Sequence, residues 1–265
     1  MVVETIITNY HCESMKMTIK SILKKIPFLS TFYQKYKERT KKLEIIPRIN
    51  IKGTLENYIK EKNQNPFFVV VGANEGITND YLAKFIKEGK WEGIMIEPVK
   101  STFNLLVKNY SDFPSIRFEN CGISDENGKL PIFKFSDQVE GKEYHQLFSF
   151  DKNQLLNLNV PQVWKDQFIE EENVPVFTLD SLFTKLEIKK VNIIQIDTEG
   201  YDYKVLKGID FNKIKPELII YEHCHLRWDV YFESIKLLRN AGYRIFCDNF
   251  DTVALLPEIK AIGIS

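Results

Sequence analysis

Neither of the usual phosphate cradles is available to this chain. It has no GxGxxG turn, the glycine pattern that admits a dinucleotide pyrophosphate, and no P-loop ending in Lys-Ser/Thr. It also lacks a charge excess: 36 basic residues balance 36 acidic ones, so there is no global field to hold a nucleic acid, and no nucleic-acid partner is expected. Cysteine is sparse. Cys12, Cys121, Cys224 and Cys247 form no CxxC pair, which argues against a zinc ribbon or a disulfide framework and for a reducing, cytoplasmic setting. No apolar run approaches the roughly 18 residues that cross a bilayer, and residues 1–15 lack the basic start and apolar centre of a signal peptide. A soluble or membrane-peripheral protein is expected, without internal repeats or low-complexity tracts.

What is present begins with Phe67-Phe68-Val69-Val70-Val71-Gly72-Ala73-Asn74-Glu75-Gly76. An apolar run stops at two nearby glycines and gives way to helical sequence, the strand, tight loop and helix that let backbone approach a nucleotide. Glu97 closes a second apolar run, Gly93-Ile94-Met95-Ile96, at the roughly 20-residue distance where nucleotide-binding α/β folds place an acid on ribose hydroxyls. Ribose without phosphates fits this pair best, and S-adenosylmethionine is the common ligand of that kind.

From Pro66 onward, strand-like and helix-like segments alternate, the pattern of a parallel sheet covered on both faces. Strands are predicted near 67–72, 93–97, 115–120, 191–197 and 217–222, with helices near 78–88, 100–109, 202–207 and 229–240. Segments 243–247 and 252–256, joined by Asp248-Asn249-Phe250-Asp251, predict a terminal antiparallel hairpin. Residues 128–182 are irregular, with short strands expected at 130–135 and 174–179; an insertion of this length suggests a lid or substrate-binding region. Residues 1–65 are assigned to a basic N-terminal helical extension and linker with one further helix, 55–61. Within the extension, residues 16–42 carry eight lysines and Arg39 against the single acid Glu38, interleaved with apolar side chains. That segment is the candidate for peripheral membrane or partner contact, and the plainer reading is a helix packed on the catalytic domain with its lysines in water.

A second apolar run, Val191 to Ile196, ends in Asp197-Thr198-Glu199-Gly200, and Leu218 to Tyr221 ends in Glu222-His223-Cys224-His225. Ligands of open α/β sheets sit beyond the carboxyl ends of the strands, so these groups should share a crevice with Gly72 and Glu97. Carboxylates and imidazoles ending two strands make an acid/base or metal-capable set. Asp197, Glu199, Glu222 and His223 could hold a divalent cation, but no spacing demands one and no metal is assigned.

With these segments in view, the chain resembles the FkbM-type S-adenosylmethionine-dependent methyltransferases. The matching stretches are Val71–Gly76, then Ile96-Glu97-Pro98 with Phe103, Leu106 and Asn109, then Phe177–Leu182, then Ile196–Asp202 with Val205–Gly208, and finally Pro216–Glu222. They span about residues 66–250. The resemblance implies a Rossmann-like class I methyltransferase fold: α/β, a mostly parallel central sheet with a C-terminal antiparallel hairpin, and the N-terminal helical extension outside it. It implies an O-methyltransferase domain over 66–265, acting on a hydroxyl of a sugar or glycoconjugate, with substrate choice in the insertion 128–182. Gly72, Ala73, Asn74 and Gly76 would form the cofactor loop, Glu97 would bind both ribose hydroxyls, and Asn120 and Ser124 would meet the adenine edge. The family typically has Asp where this chain has Val70, which removes a polar group near the methionine end of the cofactor.

Methyl transfer to an alcohol needs donor and acceptor aligned and the hydroxyl proton removed. His223, His225 and Asp197 are candidate bases; His145, in the insertion, is another if that segment closes over the acceptor. Glu199 and Glu222 complete the candidate catalytic set, with helix-terminus and anchoring roles as their structural alternatives. Trp164, Tyr144, Phe148 and Trp228 are candidate platforms for a sugar ring, or core residues. The competing readings are a nucleotide-linked oxidoreductase and a noncatalytic membrane- or partner-binding protein.

Overall fold

Phe67–Val71 forms β1, and four of its five residues are buried because neighbouring strands and covering helices enclose it on every side. Such a strand shows an unbroken apolar run instead of alternation. A computed structural model describes residues 46–62, 65–77, 80–89, 91–136, 139 and 148–265. The chain divides into two compact units, Met1–Pro47 and Arg48–Ser265. The basic segment 16–42 and His145 lie outside the described residues, and the second unit is described below.

Beside β1 run β2 (Glu92–Ile96) and β8 (Ile193–Ile196), both parallel to it; β3 (Ile116–Glu119) flanks β2, and β9 (Leu218–Glu222) flanks β8. The hairpin β10 (Arg244–Cys247) and β11 (Asp251–Leu255) closes the sheet by laying β11 antiparallel against β9. The order β10-β11-β9-β8-β1-β2-β3 is that of the Rossmann-like class I methyltransferase fold implied by the resemblance, mostly parallel with a C-terminal antiparallel hairpin. Strand order reverses between β1 and β8, and a crevice opens at such a switch point.

Helix α1 (Ile51–Lys62), assigned from sequence to the extension 1–65, belongs to the second unit: Ile51, Leu55 and Tyr58 are buried in one cluster with Phe68, Leu218 and Phe246. Its buried positions 51, 54, 55 and 58 follow helical spacing. Helix α2 (Ala83–Gly89) joins β1 to β2, and α3 (Lys100–Asn109) joins β2 to β3 over the residues expected.

The insertion builds a second sheet. Short β4 (Gly122–Ile123) pairs with β7 (Ile169–Phe177), which lies antiparallel to β5 (Gly128–Phe135), and β6 (Phe148–Ser149) is the far edge. Helices α4 (Lys152–Asn157) and α5 (Gln162–Gln167) pack between β6 and β7 in sequence. The strand expected at 174–179 begins at Ile169 and ends at Phe177, because Thr178 caps α6 (Leu179–Lys185) with its side chain accepting from the Ser181 N–H at 3.0 Å. Thr178→Ala is expected to lower stability by about 1 kcal/mol in urea unfolding through loss of this cap. Helices α7 (Asp202–Lys207) and α8 (Trp228–Asn240) complete the unit.

Candidate active site

Strand register decides which groups meet. Val71 is the Cα partner of both Ile96 and Ile196, and Ile196 is the partner of Tyr221. The next residues, Gly72, Glu97, Asp197 and Glu222, therefore leave the sheet side by side, and Asp251 of β11 pairs with Glu222 at the end of that row.

Gly72 has φ 76°, and a Cβ there would lie 1.8 Å from the Asp197 carbonyl oxygen, so only glycine fits between β1 and β8. Its N–H and that of Ala73 both donate to the Ile96 carbonyl at 3.0 Å, binding the turn to β2. Asn74 is also left-handed, with φ 48°, and its side-chain oxygen accepts from the Glu75 N–H at 2.9 Å. Two residues at the end of α3 pin the turn from behind: Asn109 donates to the Glu75 carbonyl at 2.9 Å and the Tyr110 hydroxyl to the Gly76 carbonyl at 2.6 Å.

Glu97 is completely buried. One carboxylate oxygen accepts from the Asn74 N–H at 3.0 Å and the other from the Val99 N–H at 2.8 Å. Burial pushes its carboxyl up to about 8, against the pull of those two N–H groups. When the carboxyl is ionised, each oxygen keeps a second lone pair. Asn120 donates to the Glu97 and Pro98 carbonyls at 2.9 and 3.0 Å, so its amide fixes the segment that presents Glu97. Ser124 is buried, with its hydroxyl 3.3 Å from Asp125 and 3.2 Å from the Tyr201 hydroxyl. Beside the row, Gly72, Ile96, Pro98, Cys121, Gly122, Ile123, Phe148, Ser149, Phe150 and Thr198 line a cavity. Of the residues predicted for the cofactor, Gly72 is the one that lines it. Ser149 also donates to the Glu199 carbonyl at 3.2 Å, tying the second sheet to the main one.

The carboxylates crowd one another at the β8 and β9 ends. Burial pushes Asp197 up to about 7, helped by the charges of Glu199, Asp251 and Asp80. Its carboxylate accepts no hydrogen bond among the described residues. Burial, then Asp197, Glu199 and Asp202, pushes Glu222 up to about 9. Asp202 is fully buried at the start of α7, accepts from Thr198 at 3.0 Å, and is held far above the carboxylate range by burial and Asp197.

The two histidines part company. His223 places Nδ1 3.1 Å from the Thr252 hydroxyl and stacks on Tyr231, with ring centroids 4.8 Å apart. His225 points its Nε2 between two carboxylates, 3.3 Å from Glu199 and 3.7 Å from Glu222. Glu199 itself has φ 52°, so the loop after β8 turns sharply before Gly200. Of the aromatic candidates, Trp164 packs edge-on against Phe135, Phe148 lines the cavity, and Trp228 is 39% exposed at the start of α8. Tyr144 lies outside the described residues.

The sequence reading did not reach Tyr110, Ser149 or Phe150. Tyr110 follows the quoted Asn109 with nothing to mark it. The Ser149 and Phe150 signal was equally faint, since β6 spans two residues.

A family model described as the methyltransferase FkbM domain matches residues 71–245. "Methyltransferase 1" of Beauveria bassiana is 27% identical over 202 residues, covering 73% of this chain and 78% of that protein. "Methyltransferase sdnD" of Sordaria araneosa is 24% identical over 163 residues, covering 55% of this chain and 61% of that protein. Among solved structures, the methyltransferase FkbM from Methylobacillus flagellatus superposes with a TM-score of 0.45 at 19% identity over 72% of this chain. This chain spans 43% of that protein's length.

Proposed function

Since the chain belongs to the FkbM methyltransferase domain family, we propose that it transfers the methyl group of S-adenosylmethionine to a hydroxyl of a sugar or glycoconjugate. The observation that carries this reading is the level row of strand ends, with the Gly72–Gly76 turn and Glu97 on one side of the switch point and Asp197 on the other.

The residues fit the cofactor. Gly72 lines the cavity beside the strand ends, and in its ionised form Glu97 keeps two free lone pairs that match a vicinal diol. No lysine or arginine stands in the turn, which agrees with a ligand that has no phosphates. S-Adenosylmethionine supplies an electrophilic methyl on a sulfonium, transferred by in-line displacement. Asp197 takes the acceptor's proton as the new bond forms, because it stands at the crevice with its carboxylate unengaged and titrates near neutrality. Glu199 offers further acceptors for a polyhydroxylated ring, and the exposed face of Trp228 suits its C–H surface.

Calorimetric titration with S-adenosylmethionine and S-adenosylhomocysteine, with NAD as control, tests the cofactor. Saturable binding of the first two supports the reading; binding of NAD alone to folded protein overturns it. A panel of sugar and natural-product alcohols, read by mass increase of one methyl group, then tests the acceptor.

On the acceptor so found, Asp197→Asn is expected to lower kcat by roughly 10²- to 10⁴-fold while leaving cofactor affinity in place. The base works deprotonated, so the wild-type rate falls as pH drops below about 7, and the variant loses that limb. Burial sets this value first, followed by the charges of Glu199, Asp251 and Asp80, all acidic. A variant that keeps its rate and pH profile removes Asp197 from the chemistry.

A further inference from the structure

Past the end of β9 the chain places three donors of different kinds within four residues. Glu222 Oε1, Cys224 Sγ and His225 Nε2 all lie within 4.8 Å of one another. We propose that these three atoms form a site for a divalent ion of the zinc class, one that needs thiolate, imidazole and carboxylate together. The proposal rests on their geometry and is independent of the cofactor reading.

A tetrahedral ion holds nitrogen and oxygen at about 2.0–2.1 Å and sulfur at about 2.3 Å, which separates its ligands by roughly 3.3–3.6 Å. Cys224 Sγ stands 3.3 Å from Glu222 Oε1, and His225 Nε2 stands 3.7 Å from the same oxygen. Two edges of the coordination figure are therefore close to their bound lengths, and a small side-chain rotation closes the third. The scaffold beneath is fixed: the His223 and Cys224 N–H groups both donate to the Phe250 carbonyl, at 2.9 and 3.2 Å, and the Leu226 N–H donates to the His223 carbonyl at 3.0 Å. The hairpin turn thus clamps the segment that carries the donors.

Charge favours a cation here. Asp197, Glu199, Asp202 and Glu222 converge, and among the described residues none of the four has a lysine or arginine within ion-pair distance. The second oxygen of Glu222 is buried without a hydrogen-bond partner among those residues. Cys224 and His225 are exposed, so an ion has a way in and a fourth corner stays open. Three protein donors with one open corner is the arrangement of reactive zinc sites, whereas structural sites are closed by four. Glu199, 3.3 Å from His225 Nε2, stands where it can accept a hydrogen bond from a water or hydroxyl in that corner.

Cobalt(II) is the probe, added to full-length protein stripped with a chelator. One cobalt per chain is expected, with the intense visible bands of a four-coordinate ion, a near-ultraviolet thiolate charge-transfer band, and displacement by zinc. Cys224→Ser should abolish the charge-transfer band, and His225→Gln should weaken binding by at least about 10- to 100-fold, the range seen when even a ligand's supporting partner is lost. Cys247→Ser should leave the spectrum unchanged. Matching far-ultraviolet dichroism without cobalt verifies that each variant is folded. A pale six-coordinate spectrum, a thiolate band that survives Cys224→Ser, or displacement of cobalt by magnesium at equal concentration would each overturn the site. Calorimetry with S-adenosylmethionine on the stripped protein reads the cofactor site separately.

Discussion

Gly72→Ala is expected to destabilise the protein by more than about 4 kcal/mol and to abolish cofactor binding. A loss of that size is exceptional for one methyl group and needs a specific cause. Here there are two. The residue is left-handed, with φ 76°, a region costing a side chain about 1–2 kcal/mol. The added Cβ would also stand 1.8 Å from the Asp197 carbonyl oxygen and 2.9 Å from its carbon. Those are backbone atoms, so no rotamer change relieves the clash. Relief requires β1 and β8 to splay where Asp197 donates its N–H to Val71 and Gly72 donates to Ile96, both at 3.0 Å. Gly128→Ala is the control: a Cβ there meets nothing within 4 Å, so its midpoint should stay near that of the wild type. Urea midpoints for the two variants check this, and equal midpoints would refute it.

Glu97→Gln changes one atom, yet its expected effect on the cofactor is nearly as large. The carboxylate serves two backbone donors and, on the proposed reading, two ribose hydroxyls; an amide has one acceptor oxygen and turns N–H groups toward a donor. With hydrogen bonds to a charged group worth about 1.5–3 kcal/mol each, S-adenosylmethionine affinity should fall by roughly 100-fold or more. Calorimetry reads this directly, and an unchanged affinity would remove Glu97 from the cofactor site. The same substitution should alter how stability depends on pH. The carboxyl titrates near 4.5 in the unfolded chain and near 8 when folded, so the fold holds its proton more tightly. That contribution is complete below the unfolded value and is lost as pH rises through about 8. The slope is about 1.4 kcal/mol per pH unit for each such group. Ligand-free wild type should therefore unfold at lower urea at about pH 8.5 than at about pH 5.5, and Glu97→Gln should narrow the gap. Asp197 and Asp202, raised in the same direction, leave a remainder.

The central sheet was legible because strands buried on both faces must be apolar throughout, as in Phe67–Val71 and Ile193–Ile196, and polar residues mark where they stop. That logic also placed Gly72, Glu97, Asp197 and Glu222 along one edge. It failed in the insertion, where β7 runs through Glu170, Glu171, Glu172 and Asn173, all exposed, so no alternation marks the strand. Thr178 and Ser181 were read as part of a motif, and their role as a helix start emerged only from the hydrogen bond between them. His223 and His225 were equivalent on paper. Thr252 and Tyr231 that hold one come from β11 and from the helix after β9, and Glu199 that meets the other comes from the loop after β8. Asn120 illustrates the remaining gap: its strand-end position was readable, but not that its amide is committed to the Glu97 and Pro98 carbonyls.

Glu97 has no exposed surface, and the turn whose Asn74 N–H it accepts from is fastened from behind by Asn109 and Tyr110. For a ligand that must reach that carboxylate, this is a matter of timing as well as strength. Whatever shields the carboxylate has to yield first, so the measured affinity is the intrinsic one multiplied down by the fraction of molecules already open. Arrival and departure would then share one gate, and a reaction product would wait on the same motion that admitted its precursor. Residues on the hidden side of the turn, with no ligand atom in reach, would thereby set the length of the catalytic cycle.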